Sequence, residues 1–89
     1  MAVAQQTRHP YIVQRTGIHG GEPTIQGTRI PVRTIAQYVL RQGIAPEALI
    51  REFPHLSIAA VYDALSFYYD HRPLIDKLIH QQTEADWRR

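Results

Sequence analysis

Gly20-Gly21-Glu22-Pro23-Thr24-Ile25-Gln26-Gly27-Thr28-Arg29-Ile30-Pro31-Val32 is the stretch that decides how this chain folds. Glycine reaches backbone angles closed to other residues, and proline holds φ and lacks an amide donor. Three glycines and two prolines around Ile25 and Ile30 therefore describe a bent path, not a loose linker. Thr24 to Ile30 is expected to be extended, with Gly27 at a kink or tight turn. Upstream, Tyr11-Ile12-Val13 is β-prone, so a small β-ribbon is expected, with Thr16 to Gly21 as turn material. Downstream, Pro31 suits the first turn of a helix. Val32, Ile35, Ala36, Val39 and Leu40 then recur at helical spacing, with Arg33, Gln37 and Arg41 on another face, until Gly43 offers a stop.

Three further helices follow. Ile44-Ala45-Pro46-Glu47 starts the second, with proline in its first turn and glutamate near the positive end of the dipole. Pro54 ends it. Ser57 is an N-cap for the third, Ile58 to about His71, and Leu56 is placed to staple onto Val61. Ile58, Val61, Leu65 and Tyr68 make one apolar stripe of this helix, and Ala60, Ala64 and Phe67 make another. A helix apolar nearly all round is buried on more than one side. In so small a chain the second cover is expected to be another subunit or a partner. Pro73 restarts a fourth helix, which is expected to fade through Gln81-Gln82-Thr83. The fold class expected is mainly α: a short N-terminal β-ribbon, a helix-turn-helix three-helix core and a C-terminal helix. The expected organisation is a flexible arm over 1–10, one domain over 11–84 and a tail over 85–89.

Composition narrows the function classes. The 89 residues include no cysteine, which leaves neither disulfides nor a thiolate metal site. No apolar run approaches the roughly 18 residues of a membrane span, and Met1 to Pro10 lacks the apolar core of a signal peptide. A cytoplasmic protein is expected. The formal charge is only +2, but Arg8, Arg15, Arg29, Arg33 and Arg41 lie in the N-terminal half while acids concentrate from Glu47 onward. That asymmetry is compatible with one basic face, and equally with a mixed solvated surface.

Pro54-His55-Leu56-Ser57 joins the second and third helices closely enough for a helix-turn-helix. In DNA-binding versions the second of these helices enters the major groove by its N-terminal end. Ser57 and Tyr62 there can bond phosphate or base edges, and Arg29, Arg33 and Arg51 are candidates for phosphate. Arg29 could instead tie the ribbon to a carboxylate or to helix-end carbonyls. A trihelical scaffold with no nucleic-acid role fits the same spacing, since the third helix carries no Lys or Arg before Arg72. No two of the five histidines stand at i, i+4, so no metal is expected. Asp63 and Asp70 share a face two turns apart and read as an exposed strip, not a proton-transfer pair. No catalytic constellation and no cofactor fingerprint are present, and an enzyme is not expected.

The segment from Gly21 to Val32 also resembles the hallmark of the domain-of-unknown-function family numbered 433. Gly43-Ile44-Ala45-Pro46-Glu47, Phe53-Pro54-His55-Leu56-Ser57, Val61-Tyr62-Asp63-Ala64-Leu65, Tyr68-Tyr69 and Asp70-His71-Arg72 follow the same pattern, so the resemblance spans about Tyr11 to Ile79. It implies a homeodomain-like or winged-helix-like core and a small prokaryotic protein of antitoxin type. Such proteins bind their own promoter and a nuclease-like toxin related to the PIN domains. The expectation is therefore an antitoxin-like DNA-binding regulator, a homodimer or higher homo-oligomer, with Phe67, Tyr69, Leu74 and Leu78 at its dimer or partner interface. The alternative is a protein–protein interaction module that binds no DNA.

Overall fold

Gly27 has φ +81°, the value that the third residue of a type II turn requires. The Thr28 amide closes this turn on the Ile25 carbonyl at 3.1 Å, and the Thr28 hydroxyl donates to the same oxygen at 2.8 Å. The Ile25 amide then bonds the Ile30 carbonyl, and the Val32 amide bonds the Pro23 carbonyl. The quoted stretch is thus a loop laced onto itself by its own backbone, and it delivers the chain directly into the first helix.

The computed structural model describes residues 4–6, 8–15 and 21–87, with side chains described over 8–14 and 21–81. The turn expected over 16–20 and the last two residues of the tail lie outside the described residues. Strands β1 (Ala4–Gln6), β2 (Ile12–Arg15) and β3 (Thr24–Ile25) form one antiparallel sheet in the order β1-β2-β3, with Gln6 opposite Val13 and Ile12 opposite Ile25. The segment expected to be an arm therefore contributes an edge strand. The helices are α1 (Val32–Ala36), α2 (Pro46–Glu52), α3 (Ile58–Asp70) and α4 (Arg72–Trp87). Helix α4 runs on past the expected fade and past residue 84.

Helix α1 does not continue as a simple α-helix. Gln37–Arg41 is a π-helical turn, and the Gln42 amide reaches back five residues to the Gln37 carbonyl at 3.0 Å. The wider turn rotates later residues out of phase. Val32, Ile35 and Ala36 are buried as the periodicity predicts, whereas Val39 is half-buried and Leu40 is exposed. Gly43, at φ +74°, then ends the helix.

The core draws on β2, β3 and the four helices. Ile12, Ile25, Val32, Ile35, Leu49, Val61, Ala64, Phe67, Ile75 and Ile79 belong to one buried cluster. Helix α3 lies at its centre and packs against α1, α2, α4 and β2. The Ser57 hydroxyl caps it by accepting from the Ala60 amide at 3.1 Å, and Leu56 and Val61 on either side of the cap are both in the core. Phe67 is 2% exposed within a single chain. This corrects the expectation that Phe67 faces another subunit. The helix does need cover on a second side, but the N-terminal segment of the same chain supplies it.

Two substitutions test the local logic by urea unfolding. Ser57→Ala is expected to cost about 1 kcal/mol through the lost cap. At Gly27 an added Cβ would meet nothing within 4 Å, so Gly27→Ala should cost only the left-handed backbone penalty of about 1 kcal/mol. Gly27→Asn should cost less, because asparagine tolerates that region.

Candidate functional site

The α2–turn–α3 unit is built from short-range contacts. Pro46 occupies the first turn of α2, Glu47 sits at its positive end, and the Leu56 amide bonds the Phe53 carbonyl at 2.9 Å to close the turn. Ser57, Ile58 and Ala59 at the start of α3 are exposed. Tyr62, one turn on, is 51% exposed, and its hydroxyl donates to Glu47 Oε1 at 3.1 Å. That bond, then the charge of Glu47, then slight burial push the Tyr62 phenol above its ordinary pKa of 10.0. Arg51 is exposed in the last turn of α2.

The five residues selected for DNA do not converge as one group. Ser57, Tyr62 and Arg51 belong to the helix-turn-helix unit, while Arg29 is exposed on the ribbon beyond the Gly27 turn. Arg33 is committed elsewhere. Its Nε lies 2.6 Å from Glu22 Oε1, with both side chains largely buried. The contact is an ion pair held by proximity, since Glu22 Oε1 accepts no well-aligned hydrogen bond among the described residues. Arg33 thus ties the loop before β3 to α1. Of the four interface candidates, Phe67 is internal, Leu78 is half-buried against the core, and Tyr69 and Leu74 are exposed.

A further constellation was not legible in the sequence. His9 is buried, with Nδ1 3.0 Å from Asp63 Oδ1 and Nε2 2.8 Å from Asp70 Oδ2. The Tyr11 amide donates to Asp63 Oδ2 at 2.8 Å, and the His9 ring meets Phe67 edge-on at 5.2 Å. An imidazole with one proton donates to one of the two carboxylates, and a doubly protonated ring donates to both. The two aspartates that read as a bare acidic strip hold the N-terminal segment onto α3. Their spacing of two helical turns was the only sequence trace of this, and nothing in it pointed to residue 9. Among the described residues, no group of three His, Asp or Glu side chains is arranged to hold a metal ion. None of the described helices is long and apolar enough to cross a membrane.

Comparison with known proteins agrees with this architecture. The family model described as "Protein of unknown function (DUF433)" matches residues 12–68. The crystal structure of a DUF433 member protein from Anabaena variabilis is 31% identical, covers 79% of this chain and 68% of its own, and superposes with a TM-score of 0.74. No curated protein matches the chain.

The clamp and the Tyr62 bond each make a measurable difference. His9→Ala should destabilise the fold by about 2 kcal/mol, because Asp63 loses a partner while largely buried. Asp70 is 63% exposed, so Asp70→Asn should cost less than about 1 kcal/mol. Glu47→Gln should bring the Tyr62 ionisation, followed by phenolate absorbance, back down toward 10.0. Because the folded-state pKa is raised, any stabilisation from this bond is present below about pH 10 and is lost as pH rises through the Tyr62 pKa of the folded chain.

Proposed function

Taking as given that this chain belongs to the DUF433 family, we propose that it is an antitoxin-like DNA-binding regulator that pairs with a PIN-like nuclease toxin. The observation that carries the DNA half is the exposed start of α3, held out on a capped and closely turned helix-turn-helix unit. Ile58 and Ala59 allow close approach to a groove and apolar contact with a thymine methyl. The Ser57 hydroxyl and Arg51 contact phosphate, with Arg29 contributing from the ribbon, and Tyr62 joins them when its hydroxyl turns from Glu47 to a phosphate oxygen. Arg33 drops out of the set because Glu22 holds it. Asp63 turns its carboxylate to His9 and the Tyr11 amide, which removes one acidic objection to a nearby duplex. Two copies in the cytoplasm would present paired units, and the exposed Tyr69 and Leu74 would serve the protein partner.

A second reading, an interaction module without DNA binding, draws support from the outward face of α3. Ile58, Tyr62, Ser66 and Tyr69 are exposed there, the helix itself carries no cation, and the Glu47 carboxylate stands against Tyr62.

Fluorescence anisotropy on the chain's own upstream duplex, repeated across a salt series, separates the two. Few phosphate contacts predict a shallow but real slope of log affinity on log salt, and Arg51→Ala should reduce its magnitude by about 1 per protomer. A flat response would leave the interaction-module reading in its place.

A further inference from the structure

A solvent-open groove of about 400 Å³ lies where the π-helical turn meets the end of α3 and the start of α4. Its apolar surface comes from the exposed Leu40 and Tyr69, above the buried Ala36 and Ile79, and its rim from Arg41 and Arg72. The Arg72 guanidinium stands 5.8 Å and 5.9 Å from the ring centroids of Tyr68 and Tyr69. These contacts hold the guanidinium at the rim of the groove, where it also acts on the Tyr68 hydroxyl by hydrogen bond and charge. Arg41 is 57% exposed, and its Nη2 is 3.8 Å from Asp76 Oδ1, too long for a hydrogen bond. Asp76 gives the same oxygen to the Tyr68 hydroxyl at 2.8 Å. The groove therefore presents two guanidinium groups against one engaged carboxylate, beside exposed leucine and tyrosine surface. The π turn makes this possible, because it rotates Leu40 off the buried phase of α1.

We propose that this groove docks an acidic amphipathic segment of a partner protein, with an aliphatic side chain against Leu40 and Tyr69 and carboxylates on Arg41 and Arg72. Charge complementarity selects an acidic occupant, and the exposed apolar surface selects one with a hydrophobic face. The groove is open to solvent, whereas small-molecule sites bury about 70–90% of their ligand, which favours a peptide segment. The site extends the protein-partner half of the function proposed above and rests on it, but it is separate from the duplex-facing end of α3.

The test uses the full chain labelled with ¹⁵N and a blocked amphipathic peptide built from leucine and glutamate. Saturable NMR shifts are expected at Arg41, Tyr69 and Arg72. The glutamine counterpart of the peptide should bind at least about tenfold more weakly, a difference of about 1.4 kcal/mol. R41Q/R72Q should lose binding by a similar factor, and Tyr69→Ala provides a second variant at an exposed position. The proposal is overturned by any of four results: no saturable shift, equal binding of the glutamine peptide, the same shifts with free glutamate, or the same shifts on raising protein concentration alone. The last two would assign a small-anion site or a second copy. Duplex binding by R41Q/R72Q is measured alongside. A groove that fails while salt-dependent DNA binding persists sinks this inference alone.

Discussion

Phe67 has to be kept from water, and the way this is done organises the molecule. Its ring lies between His9, which reaches across from the N-terminal segment, and His71 at the end of α3, 4.4 Å away. His9 stays there because Asp63 and Asp70 grip both of its ring nitrogens. A polar clamp thereby lays the start of β2 over a helix whose other sides already face α1, α2 and α4. The apolar burial carries the energy, while the aspartate–histidine bonds set where the segment lands, since hydrogen bonds require defined geometry and hydrophobic contact does not.

The same economy of polar contacts recurs. Arg33 and Glu22 tie the loop before β3 to α1, and Tyr68 and Asp76 tie α3 to α4. Each joins segments that the chain's apolar pattern brings together only loosely. These side chains are committed to the fold, so fewer charged groups remain to meet a partner than the composition suggests. Two surface regions are the candidates to meet a partner. One is the neutral, small-residue start of α3. The other is the arginine-rimmed groove beside the π turn.

Reading the third helix shows how a sound local inference reaches the wrong partner. Its apolar residues on several faces correctly indicate burial on more than one side. The covering element is the chain's own N-terminus, because Tyr11 and His9 reach Asp63 across more than fifty residues. Nothing in residues 1–10 carries a periodic apolar signal, so that segment reads as an arm. The π turn was equally hidden. Val39 and Leu40 continue a helical repeat in the sequence, and only the i−5 bond at Gln42 shows the phase to have slipped.

Taken alone, the sequence determined the features that depend on neighbours along the chain: a tight turn at Gly27, the stop at Gly43, the Ser57 cap, the proline-bounded start and end of α2, and the mainly helical class. These follow from backbone restrictions and local hydrogen bonds that each residue brings with it. Tertiary structure alone decided that Arg33 serves as a strut, what covers Phe67, what Asp63 and Asp70 hold, and that Leu40 turns outward beside Arg41 and Arg72. Those outcomes depend on which charged groups meet across long separations. Coulomb and hydrogen-bond partners are chosen by distance in space, and residue spacing along the chain does not encode that distance.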